Sequence, residues 1–243
     1  MEHLAARLRE IHGVVAVTLG GSRARGLERE DSDWDFGLYY RGQLAADEVR
    51  ALGWEGEVAE PGDWGRLLNG GAWLEVEGAR VDVLYRDLAT VEHWTSEAEH
   101  GRFEVDRVGG FVAGLPTYVL AAELALGKVL SGELPRPEFP DALREAAPPR
   151  WRGDALFSLR VAAGLADRGD TAGCVGLLAR AAIGEANARL AERGEWVLNE
   201  KGILRRAGIG AAETVLTMVG ARPAELARSV QRMYAALDLH RTA

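Results

Sequence analysis

Gly20-Gly21-Ser22-Arg23-Ala24-Arg25-Gly26, followed by Ser32-Asp33-Trp34-Asp35-Phe36-Gly37, is the stretch on which the fold of this chain turns. Before it lies Val14-Val15-Ala16-Val17-Thr18-Leu19, a β-branched run ending in glycines, which predicts a buried strand feeding a tight turn. Glycine has no Cβ to hold an anion away, and oriented backbone N–H groups make an anion-binding concavity. Gly21 and Ser22 are therefore candidate phosphate-binding residues. Ser22-Arg23-Ala24-Arg25 reads as a short helical turn. From Asp33 to Tyr40, acidic or small residues alternate with Trp34, Phe36 and Leu38, which predicts a second strand with one wet face and one core face. Asp33 and Asp35 share the wet face, where two carboxylates can grip a hard divalent cation.

Outward from this stretch, Leu4, Leu8 and Ile11 predict an amphipathic helix over 2–12, and Ala45–Leu52 a second helix. Residues 53–71, rich in Gly, Pro and Asp, read as loop with at most short elements. Ala72–Glu77 and Arg80–Arg86 read as a hairpin around Gly78-Ala79. Its second strand places Asp82 and Leu84 on one face and Val81, Val83 and Tyr85 on the other. A lone carboxylate in an apolar strand is costly to bury unless it is paired or holds a metal, so Asp82 is the candidate third carboxylate. From about residue 113 the pattern becomes helical. Helices are predicted over Pro116–Leu130, Asp154–Asp167, Thr171–Arg193, around 200–219 and over Pro223–Leu239, with proline-rich breaks at 135–140 and 148–149. The expectation is an α+β chain with a first domain over 1–112 and a helical bundle over 113–243.

Composition narrows the function classes. The chain has 243 residues, 47% of them hydrophobic and 27% charged, as in a soluble globular protein. Nothing approaches the roughly 20 apolar residues of a membrane span, and the first residues lack the apolar core of a signal peptide, so a cytoplasmic protein is expected. The single cysteine, Cys174, sits in an apolar helical context and reads as a small buried hydrophobe. Residues 1–113 hold 12 basic and 22 acidic residues, net −10, against 17 and 15, net +2, in 114–243. Acidity concentrated around the carboxylates disfavours a sequence-independent nucleic-acid binder and suits a small or cationic partner. The five histidines show no ligand spacing, which argues against zinc.

The glycine–serine turn, the Asp33-Trp34-Asp35 strand and Val81-Asp82-Val83, in this order, resemble the DNA polymerase beta-like nucleotidyltransferase superfamily. Within it the layout is similar to bacterial antibiotic (aminoglycoside) nucleotidyltransferases. The motifs cover residues 14–86, about a third of the chain. The resemblance implies a mixed-sheet palm, Mg2+ as one ion or two, ATP as substrate, and transfer of a nucleoside monophosphate to an acceptor hydroxyl with release of pyrophosphate. Asp33, Asp35 and Asp82 are then the catalytic and metal-binding residues, and Gly21, Ser22 and Arg23 bind nucleotide. From the helical half the resemblance implies a basic residue for the triphosphate, for which Lys201 is preferred to Lys128, and sometimes a carboxylate base, for which Glu123 competes with Asp82. Trp64, Trp73 and Trp94 are candidates to stack on a base. A homodimer is compatible with the resemblance. The alternatives are an enzyme that adenylylates a protein such as a toxin, or modifies an RNA end, and a nucleotide-binding module without catalysis.

Overall fold

The computed structural model describes residues 2–240, which divide into two compact units. The first comprises residues up to 97 and 117–138, the second 98–116 and 139–240 onward.

In the first unit, helix α1 (Glu2–Arg9) leads into β1 (Val14–Leu19), a three-residue 3-10 turn (Arg23–Arg25) and β2 (Trp34–Tyr40). Then follow α2 (Ala46–Arg50), β3 (Glu55–Val58), α3 (Gly65–Leu68), β4 (Gly71–Val76), β5 (Ala79–Asp87) and α4 (Leu88–Glu99). The strands form one mixed sheet in the order β3-β4-β5-β2-β1, extended at the far edge by a strand from residues 128–131. β2 and β5 run parallel and the other neighbours antiparallel. Alternation gives the sheet two unlike faces. Val17, Phe36, Leu38, Leu74, Val81, Val83 and Tyr85 are buried with Leu4, Leu8 and Ile11 of α1 in one core. Each large aliphatic residue so buried is worth roughly 1.5–3 kcal/mol relative to exposure. The opposite face carries the aspartates.

The hairpin closes on the Val76–Ala79 pair, so its turn is Glu77-Gly78, one residue earlier than the sequence suggests. Both turn residues have positive φ (55° and 76°), the left-handed pair that a two-residue hairpin turn requires.

The predicted helix over Pro116–Leu130 is a composite. After β6 (Val105–Asp106), Leu115–Pro116 forms β7, pairing with it. Helix α5 then covers Val119–Leu126, and Lys128–Ser131 is β8, antiparallel to β1. Gly127 ends α5 by turning extended (φ −72°, ψ 154°), and a Cβ there would lie 2.8 Å from the Glu123 carbonyl oxygen. Pro116 is therefore a strand residue, not the first turn of a helix.

The second unit is helical: α6 (Asp141–Asp167), α7 (Thr171–Glu192), α8 (Ile203–Arg206), α9 (Ala211–Thr217) and α10 (Pro223–Ala236). Helix α6 runs through Pro148-Pro149, where the sequence reading placed a break. The carbonyls that lose helical donors belong to Arg144 and Glu145, both exposed, while Ala147, Pro148 and Trp151 are buried. Packing of one face thus carries the helix across a local defect. Asp170 caps α7 by accepting from Gly173 N–H at 2.9 Å, and Pro223 opens α10 as the sequence indicates. The core is rich in small residues such as Ala162, Ala166, Ala181 and Ala182, together with Leu159, Leu178, Leu226 and Met233. Cys174 is fully buried there, with burial and then Asp170 pushing its thiol up, which leaves it inert.

Candidate active site

β2 and β5 are in parallel register with Trp34 opposite Val81 and Asp35 opposite Asp82. Trp34 and Val81 turn toward the apolar core, so Asp35 and Asp82 stand side by side on the other face. Two carboxylates side by side on one face can offer oxygen ligands to a hard cation.

The glycine turn is fitted to this pair. Gly20 N–H donates to the Asp35 carbonyl at 2.7 Å, continuing the β1–β2 ladder to the turn. Gly21 has φ +61°, and a Cβ on it would fall 1.8 Å from Asp35 Oδ2 and 2.7 Å from Cγ. Only glycine lets the turn lie against that carboxylate. Ser22 follows as the residue just before the 3-10 turn, its carbonyl accepting from Arg25 and Leu27 N–H at 3.1 and 3.0 Å. Its hydroxyl makes no hydrogen bond among the described residues.

Arg23 is engaged locally. Its Nη2 donates to Ser32 O at 2.6 Å, its Nε to Ser32 O and Asp33 O at 3.2 Å, and its guanidinium lies 4.2 Å from the Trp34 ring centroid. It pins the loop that enters β2. Asp33 ends this loop level with Arg80, whose Nε is 2.8 Å from Asp33 Oδ1. Among the described residues, no three His, Cys, Asp or Glu side chains stand together as a metal site. The structure thus brings Gly21, Ser22, Asp35 and Asp82 together and gives Asp33 an arginine partner nearby.

Behind the carboxylates the same face is closed. Gly37, next along β2, lies opposite Thr18, and a Cβ there would meet Thr18 Oγ1 at 2.5 Å. The next pair is Tyr39 and Arg86. Arg86 is buried and forms a two-pronged ion pair with Glu123 of α5, Nε to Oε2 at 2.5 Å and Nη2 to Oε1 at 2.7 Å. Arg86 Nη1 also donates to Leu68 O and Tyr85 O, each at 2.9 Å. Burial pulls the guanidinium down, but the Glu123 charge and hydrogen bonds more than offset it and hold it above its ordinary value. Burial, and then the Glu123 charge, raise the Tyr39 phenol far above its usual range, so it stays neutral. Glu123, weighed from sequence as a base, is instead the counter-ion of a buried arginine. That pairing was invisible in sequence because 37 residues separate the partners.

The two lysines have different settings. Lys128 begins β8 opposite Leu19, immediately before the glycine turn, and helps line an open cavity of about 380 Å3 with Ala24 and Arg136. Lys201 belongs to the second unit, exposed in the segment before α8, where its backbone N–H donates to Asn199 Oδ1 at 3.0 Å. Neighbouring Glu200 accepts from Val112 and Ala113 N–H at 2.7 and 2.8 Å. Of the tryptophans, Trp94 is buried beneath Arg66, whereas Trp64 and Trp73 stack on each other with ring centroids 4.6 Å apart.

No curated protein matches the sequence. Among solved structures, a nucleotidyltransferase-like protein from Exiguobacterium sibiricum 255-15 is 9% identical with a TM-score of 0.46, covering 97% of this chain and 72% of that one. An aminoglycoside 6-adenyltransferase from Bacillus subtilis is 11% identical with a TM-score of 0.33, covering 97% and 84%. The CdnE cyclic dinucleotide synthase from Elizabethkingia meningoseptica is 12% identical with a TM-score of 0.25, covering 97% and 89%. The family model described as nucleotidyltransferase domain matches residues 1–97, the span that holds the glycine turn and all three aspartates. The chain therefore carries a nucleotidyltransferase domain in its first unit, the domain of a transferase enzyme.

Proposed function

We propose that this protein transfers a nucleoside monophosphate, AMP from ATP, to a hydroxyl of a small-molecule acceptor. The observation that carries this is the in-register pair Asp35–Asp82 with Gly21 packed against Asp35. Gly21 and Ser22 hold triphosphate oxygens through backbone N–H groups and the unengaged Ser22 hydroxyl. Arg23 keeps the loop to Asp33 in place. Lys201, an exposed ammonium without an ion-pair partner among the described residues, is proposed as a cation for the triphosphate.

The donor set suits Mg2+, which binds through one or two carboxylates plus substrate phosphates rather than in an all-protein cage. Asp35 and Asp82 would hold one ion. Asp33, whose Oδ1 lies 2.8 Å from Arg80 Nε, would be the third carboxylate for that ion or a second. When bound, the metal neutralises phosphate charge and acidifies the acceptor hydroxyl. The protein's own part is orientation and proton removal. The acceptor oxygen forms a bond to the α-phosphorus while the bond to the bridging oxygen breaks. Pyrophosphate leaves, and the hydroxyl proton passes to Asp82 and then to solvent. Glu123 takes no part, its carboxylate being committed to Arg86.

The test is incubation with Mg2+ and ATP labelled at the α-phosphate against panels of amino sugars, cellular protein and transfer RNA. Label is expected on the small molecules, with pyrophosphate released in equal amount. Label on protein or RNA alone replaces the acceptor class. ATP binding with no transfer to any panel overturns the enzymatic reading in favour of a nucleotide-binding module.

A further inference from the structure

In the second unit, helix α6 leaves one long face exposed. Its buried face carries Trp151, Ala155, Leu159, Ala162 and Ala166. On the opposite side Gly153, Phe157, Val161, Gly164 and Arg168 follow at steps of three or four residues, the spacing of a single helical stripe. Phe157 is 60% exposed and Val161 37%. The two glycines are as informative as the apolar pair. Glycine destabilises a helix interior relative to alanine, so its place there needs a reason. Yet a Cβ at Gly153 would meet nothing within 4 Å, and one at Gly164 only Arg168 Nη2 at 4.0 Å. The chain itself makes no use of the space these glycines leave.

The stripe is complementary to itself about Val161. Asp154 lies seven residues before Val161 and Arg168 seven after, two helical turns to either side, while Phe157 lies four before and Gly164 three after. Neither Asp154 nor Arg168 has an ion-pair partner among the described residues. A second α6 laid antiparallel, with a two-fold axis at Val161, sets Asp154 against the partner's Arg168 and Phe157 over the partner's Gly164, each contact occurring twice. A parallel pairing fails, because it sets Asp154 against Asp154 and leaves Arg168 against Arg168. Arg160, whose guanidinium lies 5.8 Å from the Phe157 ring centroid, and Asp167 flank the stripe on one side, so the flank also carries both signs.

We propose that this face of α6 is an interface between two copies of this chain, packed antiparallel about Val161. Phe157 of each copy fills the space above Gly164 of the other, and Asp154 pairs with Arg168 across the contact. The glycines let the two helix axes approach to about 8 Å, the close end of helix packing. One helix face is a small interface, so association is reversible and in the micromolar range. The proposal does not depend on the transfer reading: the aspartates belong to the first unit and α6 to the second, and the test needs no turnover.

Sedimentation velocity on the full chain, from low micromolar to several hundred micromolar, should show a reversible equilibrium between monomer and dimer. Phe157→Ala should weaken the dimer about tenfold or more, as expected for loss of a central aromatic anchor. Gly164→Ala should also weaken it, while raising the melting temperature of the dilute monomer, because alanine favours the helix and fills the space Phe157 needs. Those opposite signs separate an interface from a merely structural role. Asp154→Arg or Arg168→Asp alone should weaken association severalfold, and the two together should restore it, since both pairs are then rebuilt with signs exchanged. A chain that stays monomeric over the whole range, a dimer indifferent to Phe157→Ala and Gly164→Ala, or a charge reversal that the second substitution does not rescue overturns the antiparallel α6 interface.

Discussion

One sheet face of the first unit has two ends that treat charge in opposite ways. At the closed end, Arg86 is buried and met by both oxygens of Glu123, with Leu68 and Tyr85 carbonyls taking the remaining donors. At the open end, Asp35 and Asp82 stand in register, with Trp73 and Glu57 continuing the row toward the sheet edge. The second unit follows the rule of the closed end: Glu185, buried in α7, lies 3.1 Å from Arg152 and 2.9 Å from Arg189. Charges that serve the fold are paired with the opposite sign and hydrogen-bonded, because an unpaired buried charge costs several kcal/mol. The carboxylates set in register across β2 and β5 share one face, and that face is where the proposed chemistry belongs.

Substitutions break this contrast most sharply at the open end. Asp82→Asn or Asp35→Asn should lower transfer by about 10³-fold or more, the scale of removing a preorganised charge. Thermal stability should change far less than activity. Calorimetry beside a pyrophosphate-release assay separates the two effects, and a large stability loss would make the pair structural.

Glu123→Gln is the mirror experiment. It should cost about 3–5 kcal/mol in denaturant unfolding by stranding buried Arg86, while activity per folded molecule persists. The paired exchange Arg86→Met with Glu123→Leu should recover most of that loss. Abolished activity at unchanged stability would instead move Glu123 into the reaction.

Gly21→Ala should combine both kinds of damage: about 1–2 kcal/mol from the left-handed backbone, and loss of nucleotide affinity as the turn is driven off Asp35. Unchanged nucleotide affinity would separate the turn from phosphate binding. Arg80→Ala breaks an exposed pair and should change stability by less than about 1 kcal/mol. If Asp33 works with the other two aspartates, the same change should tighten Mg2+–ATP binding.

The smallest effect lies in the second unit. Glu225, at the start of α10, accepts from the Arg222 side chain and from Arg222 and Ala221 N–H, which hold its carboxyl at about 2 against an ordinary 4.5. A depressed folded-state pKa gives stability that is complete above about pH 4.5 and is lost as pH falls toward about 2. Amide exchange at the first turn of α10 should rise over that window, and Glu225→Gln should remove the pH dependence.

Much of the first unit was legible because its signals are local. β1 is the predicted strand residue for residue, and the faces of β5, with Asp82 and Leu84 against Val81, Val83 and Tyr85, follow from alternation alone. What failed was local logic overridden by packing. Residues 128–131 read as the end of a helix yet complete the sheet, since β1 offers an unpaired edge and Gly127 releases the chain to reach it. Helix α6 ignores two prolines because its buried face holds it. Helix α4 carried too weak a pattern in sequence to be read.

The sequence by itself determined that a glycine–serine turn precedes two aspartates on one strand face and a third on a later strand, because spacing of two is spacing on one face. Tertiary structure decided the rest. It chose the parallel β2–β5 register that sets Asp35 against Asp82, gave Asp33 to Arg80 and Glu123 to Arg86, and extended the carboxylate row to Trp73 and Glu57. Strand register and ion-pair partners depend on elements dozens of residues apart, which no local pattern encodes.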